Sequence, residues 1–190
     1  MNKHLVAALS LVTLTTLASS AAADEGSTKT PSPAFHADVE VDPTAYVLSG
    51  HSLHVGLGYR HVRLDLGAFA MALPSWAHGN DGYDASFNGF GAKLQVFPFA
   101  EQRGLFLGVD GGVSRLLARR QGTDLASEQL QGSMGVHVGY RISLPADFYV
   151  TPWIGVSYQL GRKDVTLAAA AWHQNALNVF PAVHLGYQFR

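Results

Sequence analysis

At the C-terminal end, apolar side chains at 183, 185, 187 and 189 alternate with His184, Gly186 and Gln188, a two-residue period that predicts a β-strand. The wording recurs as Val136-His137-Val138-Gly139-Tyr140 and, more loosely, as Leu53-His54-Val55-Gly56-Leu57-Gly58-Tyr59. Runs of this kind fill the chain from Ala37: residues 37–48, 52–59, 62–70, 84–97, 104–117, one ending near Ile142, 147–160 and the terminal run. Pro43 interrupts the first, and a proline cannot donate to a ladder. One repeated strand type over eight runs predicts a closed antiparallel up-and-down barrel, an all-β fold over residues 37–190.

The connections alternate as well. Those after the second, fourth and sixth runs are short, and those at 71–83, 118–128 and 161–176 are longer. Transmembrane barrels pair short periplasmic turns with longer extracellular loops. Tyr59, Tyr140 and Tyr187 then fall at the short-turn end on the apolar face and, with Phe189, form the expected periplasmic aromatic girdle.

Which face points inward depends on the polar positions. They carry Gly, His, Arg, Asp, Ser and Gln, with glycines at 56, 58, 67, 89, 91, 108, 112, 135, 139, 155 and 186. A water-facing strand avoids glycine, whereas the interior of an eight-stranded barrel is just wide enough for side chains to fill. The polar face is therefore predicted inside and the apolar face in lipid. A soluble lipocalin-like barrel binding a small apolar ligand would have the opposite arrangement.

Ahead of these runs, Lys3 and His4, the uncharged Leu5–Leu17 stretch and Ser19-Ser20-Ala21-Ala22-Ala23 predict a signal peptide over 1–23; the apolar stretch is shorter than the roughly 20 residues of a membrane helix. Polar residues 24–36, with two prolines, predict a disordered tail. There is no cysteine, so no disulfide is available. Without Lys3 the 13 basic residues become 12 against 14 acidic ones, a balance that does not suggest nucleic acid. Charged residues make up 14%, against about 25% in an ordinary soluble domain.

Together with phrases such as Gly104-Leu105-Phe106-Leu107-Gly108-Val109-Asp110-Gly111-Gly112 and Phe148-Tyr149-Val150-Thr151-Pro152-Trp153-Ile154-Gly155-Val156, and the closing Tyr187-Gln188-Phe189, residues 37–190 resemble the small outer-membrane β-barrel proteins of the OmpA/OmpX type. The resemblance implies an outer-membrane location, lipid as surroundings, and recognition of the C-terminal strand by the barrel-assembly machinery. Two departures stand out. Arg190 follows the terminal aromatic, and Pro152 and Pro181 lie inside strands, where bulges would be needed.

The inward positions Glu40, Asp42, Arg63, Asp65, Lys93, Asp110 and Arg141 carry both signs and predict a mutually satisfied lumen network; a proton or ion path is the sharper alternative. His54, His137 and His184 share that parity and are expected to be hydrogen-bonded interior residues rather than metal ligands. His78-Gly79-Asn80-Asp81-Gly82 is too short for a calcium loop and predicts a turn. His51-Ser52 and His173 lie at the long-loop end without catalytic spacing. The sequence thus predicts a barrel with a side-chain-filled lumen, no cofactor, no catalytic or metal site, and interaction through its loops; an outer-membrane lipid-modifying enzyme is a further alternative.

Overall fold

The computed structural model describes residues 35–99 and 102–189. The predicted signal peptide, nearly all of the predicted tail and Arg190 lie outside the described residues. The strands are β1 (Phe35–Val41), β2 (His51–Tyr59), β3 (Val62–Leu73), β4 (Tyr83–Val96), β5 (Gly104–Arg120), β6 (Ala126–Ser143), β7 (Phe148–Leu160), β8 (Val165–Leu167), β9 (Ala170–Trp172) and β10 (Leu177–Phe189). Two short helices, α1 (Pro43–Val47) and α2 (Ser75–His78), sit in loops. Eight strands close an antiparallel barrel in the order β1-β10-β7-β6-β5-β4-β3-β2, while β8 and β9 pair only with each other.

The burial pattern is inverted relative to a soluble protein. On β2, Leu53, Val55 and Leu57 are 55%, 46% and 40% exposed, while their neighbours Ser52 and His54 are 1% and 6% exposed. This alternation repeats around the barrel and leaves Leu107, Val109, Met134, Val136, Ile154 and Val183 exposed. An exterior of this kind is stable only in lipid. The chain is an eight-stranded transmembrane β-barrel, and the lipocalin-like reading fails because its core would have to be the face that points out.

The predicted first run differs. Its strand starts at Phe35, inside the predicted tail, and stops at Val41, because Asp42 caps a helix there. Its carboxylate accepts the Thr44 N–H at 2.8 Å, and Pro43 occupies the first turn, where its missing donor is harmless. Ala45 and Val47 are therefore helical, not strand residues. The 71–83 loop contracts to a connection around α2, and the 118–128 loop to a turn at 121–125, because β5 and β6 run on past the apolar band. Within 161–176 the chain forms the β8–β9 hairpin, which packs Trp172 against Tyr83, Ala85 and Leu116.

The strand prolines need no bulge. Register between β10 and β7 is unbroken from Leu177↔Tyr158 to Tyr187↔Phe148. Pro152 falls where the β6–β7 ladder lapses between Gly139↔Trp153 and Ile142↔Val150. Pro181 lies beyond the end of β1, whose pairing with β10 runs only from Ala37↔Phe189 to Val41↔Leu185. In both places a neighbouring strand does not require the missing N–H.

Close approach explains two inward glycines: a Cβ on Gly56 would enter the space of the Asp38 carboxylate and Arg63 guanidinium, and one on Gly186 would enter the Tyr149 ring. At Gly111 a Cβ would meet only the Ser133 carbonyl, at 3.4 Å. Gly56→Val and Gly186→Val should therefore lower the folded, heat-modifiable fraction on gels, whereas Gly111→Ala should leave it at the wild-type level. Equal yields of all three would show that interior space does not limit folding.

Candidate functional site: the barrel lumen

The lumen has two parts. Toward the short-turn end it is solid. Arg63, from the start of β3, is fully buried; its Nε donates to Asp38 Oδ2 at 2.9 Å, its Nη2 makes a second bond to Asp38 Oδ1, and its Nη1 donates to Gln95 Oε1 at 3.0 Å. The guanidinium also lies 3.3 Å from Glu40 and 3.1 Å from Asp65. Arg141 on β6 donates to Glu40 at 3.0 Å and lies over the Tyr149 ring at 4.0 Å. Lys93 reaches Asp65 at 3.3 Å and stands 5.1 Å from the Trp153 ring centre. Three carboxylates, of Asp38, Glu40 and Asp65, thus face three cations, of Arg63, Lys93 and Arg141. Below them Phe97 and Phe106, both fully buried with rings 5.2 Å apart, close the floor with Gln102, which donates to the carbonyls of Arg60 and Val62.

Of the network predicted from parity, Glu40, Arg63, Asp65, Lys93 and Arg141 meet in this seal. Asp42 does not. It turns to cap α1, as its place at the strand end dictates. Asp110 lies higher on β5 and accepts from His137 Nδ1 at 2.9 Å. The three histidines do not converge on one point, since each has its own carboxylate: His54 with Asp65 at 2.8 Å, His184 with Glu40 at 2.9 Å, and His137 with Asp110. Of the three, only the His54 and His184 rings approach one another, at 4.8 Å. Tyr59, Tyr140 and Phe189 are exposed at the short-turn end beside Phe35 and Phe148, and Tyr187 packs edge-on against both Phe148 and Phe189.

Toward the loop end the lumen is open, contrary to the expected side-chain filling. A cavity of about 540 Å³ starts above Lys93, His54, His184 and Asp110. Its space comes from the small inward residues of β4 to β7, including Gly91, Gly112, Ser114, Ser133, Gly155 and Ser157. The β8–β9 hairpin borders it. Asn80 clasps the hairpin through both amide atoms, with Nδ2 donating to the His173 carbonyl at 3.0 Å and Oδ1 accepting the His173 N–H at 2.7 Å. Burial pushes the His78 imidazole down, consistent with its Nδ1 accepting the Asn80 N–H at 3.1 Å. The Gln174 N–H and the His173 ring hold the Asp164 carboxyl below its ordinary range. No hydrogen bond joins Ser52 to His173 among the described residues: the Ser52 hydroxyl accepts the Asp42 N–H at 3.2 Å, and His173 faces Asp164.

Parity did not single out Asp38, the principal partner of Arg63, although it shares a face with Glu40 two residues on. Gln95, likewise on the polar face, links Arg63 to His137, a contact that alternation alone does not reveal.

Removing one member of the seal strands a buried charge, which costs roughly 3–5 kcal/mol, while replacing a whole pair with apolar residues is far milder. Arg63→Ala should lower the stability to urea in detergent by about that much, and Asp38→Leu combined with Arg63→Met should recover most of the loss. A double variant no more stable than Arg63→Ala would show that the stranded charge is not the cause.

No family model matches the chain, and no curated protein matches it in sequence. Among solved structures, the N-terminal β-barrel domain of Pseudomonas aeruginosa OprF is 14% identical, with 82% of this chain and 96% of that one covered, at a TM-score of 0.38. Neisserial surface protein A (NspA) is 13% identical over 82% and 96%, at 0.44. A major outer membrane protein of Thermus thermophilus is 12% identical over 82% and 98%, at 0.47. At these identities and scores the likenesses add nothing about activity, and the assignment of the chain as an eight-stranded transmembrane barrel rests on the strand pairing itself.

Proposed function

We propose that the protein resides in the outer membrane as a non-conducting barrel, exported by its N-terminal signal and acting through the surface that its extracellular ends present. The observation that carries this reading is the seal. An apolar exterior needs a bilayer, and a lumen blocked by paired charges above buried phenylalanines has no continuous water path. The short turns and both ends of the described chain lie at the aromatic-girdle end, which fits a periplasmic side. The opposite end presents the β5–β6 hairpin, the β8–β9 hairpin and Trp76, which is 83% exposed. A non-catalytic role is favoured because Ser52 and His173 are both engaged in structural contacts.

In planar bilayers the purified protein should give no stable porin-sized current. On fractionation it should stay with the outer membrane until detergent is added. A steady large conductance, or recovery from the soluble periplasm, would overturn the reading.

Phe189 sits on the lipid face opposite Ala37, where β10 closes on β1, at the end that the assembly machinery is proposed to recognise. Phe189→Ala should reduce the folded fraction in the outer membrane more than it reduces refolding into detergent. An equal reduction in both would place the role of Phe189 in barrel stability instead.

A further inference from the structure

The cavity above the seal has a lining that the seal does not need. Its volume, about 540 Å³, falls in the range of small-molecule sites. The carboxylates and cations of the seal match, three against three, so the seal adds no net charge. Two further carboxylates, Asp110 and Asp42, line the cavity. Among the described residues no Lys or Arg lies within 4.0 Å of either.

The hydrogen-bond partner of Asp110 is His137. Arg63 donates to Gln95 Oε1, so the Gln95 amide nitrogen faces His137 Nε2 at 3.5 Å. On the other side of the ring, Nδ1 donates to Asp110 Oδ1 at 2.9 Å. Although Asp110 points into the barrel at mid-height, its side chain keeps 22% exposure, and that surface belongs to the cavity. Lys93, the cation on the floor, is 12% exposed and held by Asp65.

Aromatic rings complete the lining. Phe69, Phe87 and Phe180 stand on inward positions of β3, β4 and β10, with Trp153 on the floor and Trp76 at the rim. Ring faces carry negative potential and attract cations, most strongly where water is excluded. An anion entering this space would meet two carboxylates with no Lys or Arg within 4.0 Å, and one ammonium, that of Lys93 directly across the ladder from Asp110, which is turned to Asp65. A cation meets the reverse.

We propose that the outer half of the lumen is a binding site for a small organic cation, an ammonium group on an apolar or aromatic body, with the ammonium directed to Asp110 and the body against Phe69, Phe87 and Phe180. The inference rests on the barrel and its lumen and is independent of the role given to the extracellular ends.

The test uses three probes of similar size on the detergent-extracted protein in a nonionic micelle, followed by tryptophan fluorescence: benzyltrimethylammonium, benzyl alcohol and benzenesulfonate. Benzyltrimethylammonium should change the emission saturably and bind about tenfold more tightly than benzyl alcohol, the ratio expected from one partly desolvated charge contact with aromatic support. Benzenesulfonate should bind more weakly than either. Asp110→Asn should remove most of the preference for the cation and leave benzyl alcohol binding unchanged. Asp42→Asn, which keeps the helix cap because asparagine caps as well as aspartate, should reduce the preference in the same direction and decides the matter if Asp110→Asn does not fold. Equal binding of the three probes, tightest binding of the sulfonate, no saturable response, or an undiminished cation preference in folded variants would each overturn the proposal. None of these outcomes bears on conduction or membrane location, which are read separately.

Discussion

The fold depends on burying an arginine without leaving its charge unanswered. Arg63 is fully buried inside the barrel toward its short-turn end, out of reach of bulk water, and its guanidinium is divided among Asp38, Glu40, Asp65 and Gln95. These partners come from β1, β3 and β4, and Arg141 draws β6 into the same cluster. Charges taken from water favour folding only when every one is met, so the strands must close in one register for the interior to be tolerable. The lipid face, made of interchangeable aliphatic residues, imposes no such demand. In this protein specificity comes from the polar interior and stability in the membrane from the apolar exterior, the reverse of the usual division in water.

The same polar faces make two different environments because side-chain size changes along the strands. Near the short turns the inward residues are large: Phe97, Phe106, Tyr149 and Arg141. Toward the loops they become glycine and serine on four consecutive strands. A barrel has nearly constant girth, so this change alone converts a packed plug into a vestibule. The boundary falls at Lys93, His54, His184 and Asp110, where each ionised group still has a partner but two retain some exposed surface.

Much of the fold was legible because a transmembrane barrel writes its period into every strand, and the repeated His-x-Gly-x-Tyr wording marked equivalent depths. The legible part of the site was parity, which assigned Glu40, Arg63, Asp65, Lys93, Asp110 and Arg141 to the interior. Parity does not specify height, so it could not separate the seal from the cavity or place Asp110 apart from the rest. It also failed where backbone conformation changed: Asp42-Pro43 reads as strand by alternation and folds as a helix start by capping chemistry. The β8–β9 hairpin was invisible for a related reason. Its turn uses Ala168 and Ala169, both at positive φ (49° and 61°), where glycine or asparagine would have announced it.

The early end of β1 gives the barrel a weak point in its circumference. Since β1 stops at Val41 while β10 continues to Leu177, the upper part of β10 has a strand neighbour on one side only, and α1 occupies the space where β1 would have continued. A closed sheet resists fraying because no strand has a free edge; here closure is complete near the short turns and lapses toward the loops. Thermal opening would therefore travel from the outer rim down the β1–β10 seam, like a slit lengthening in a cylinder, and would stop where the His184–Glu40 hydrogen bond ties β10 to the charged cluster on β1.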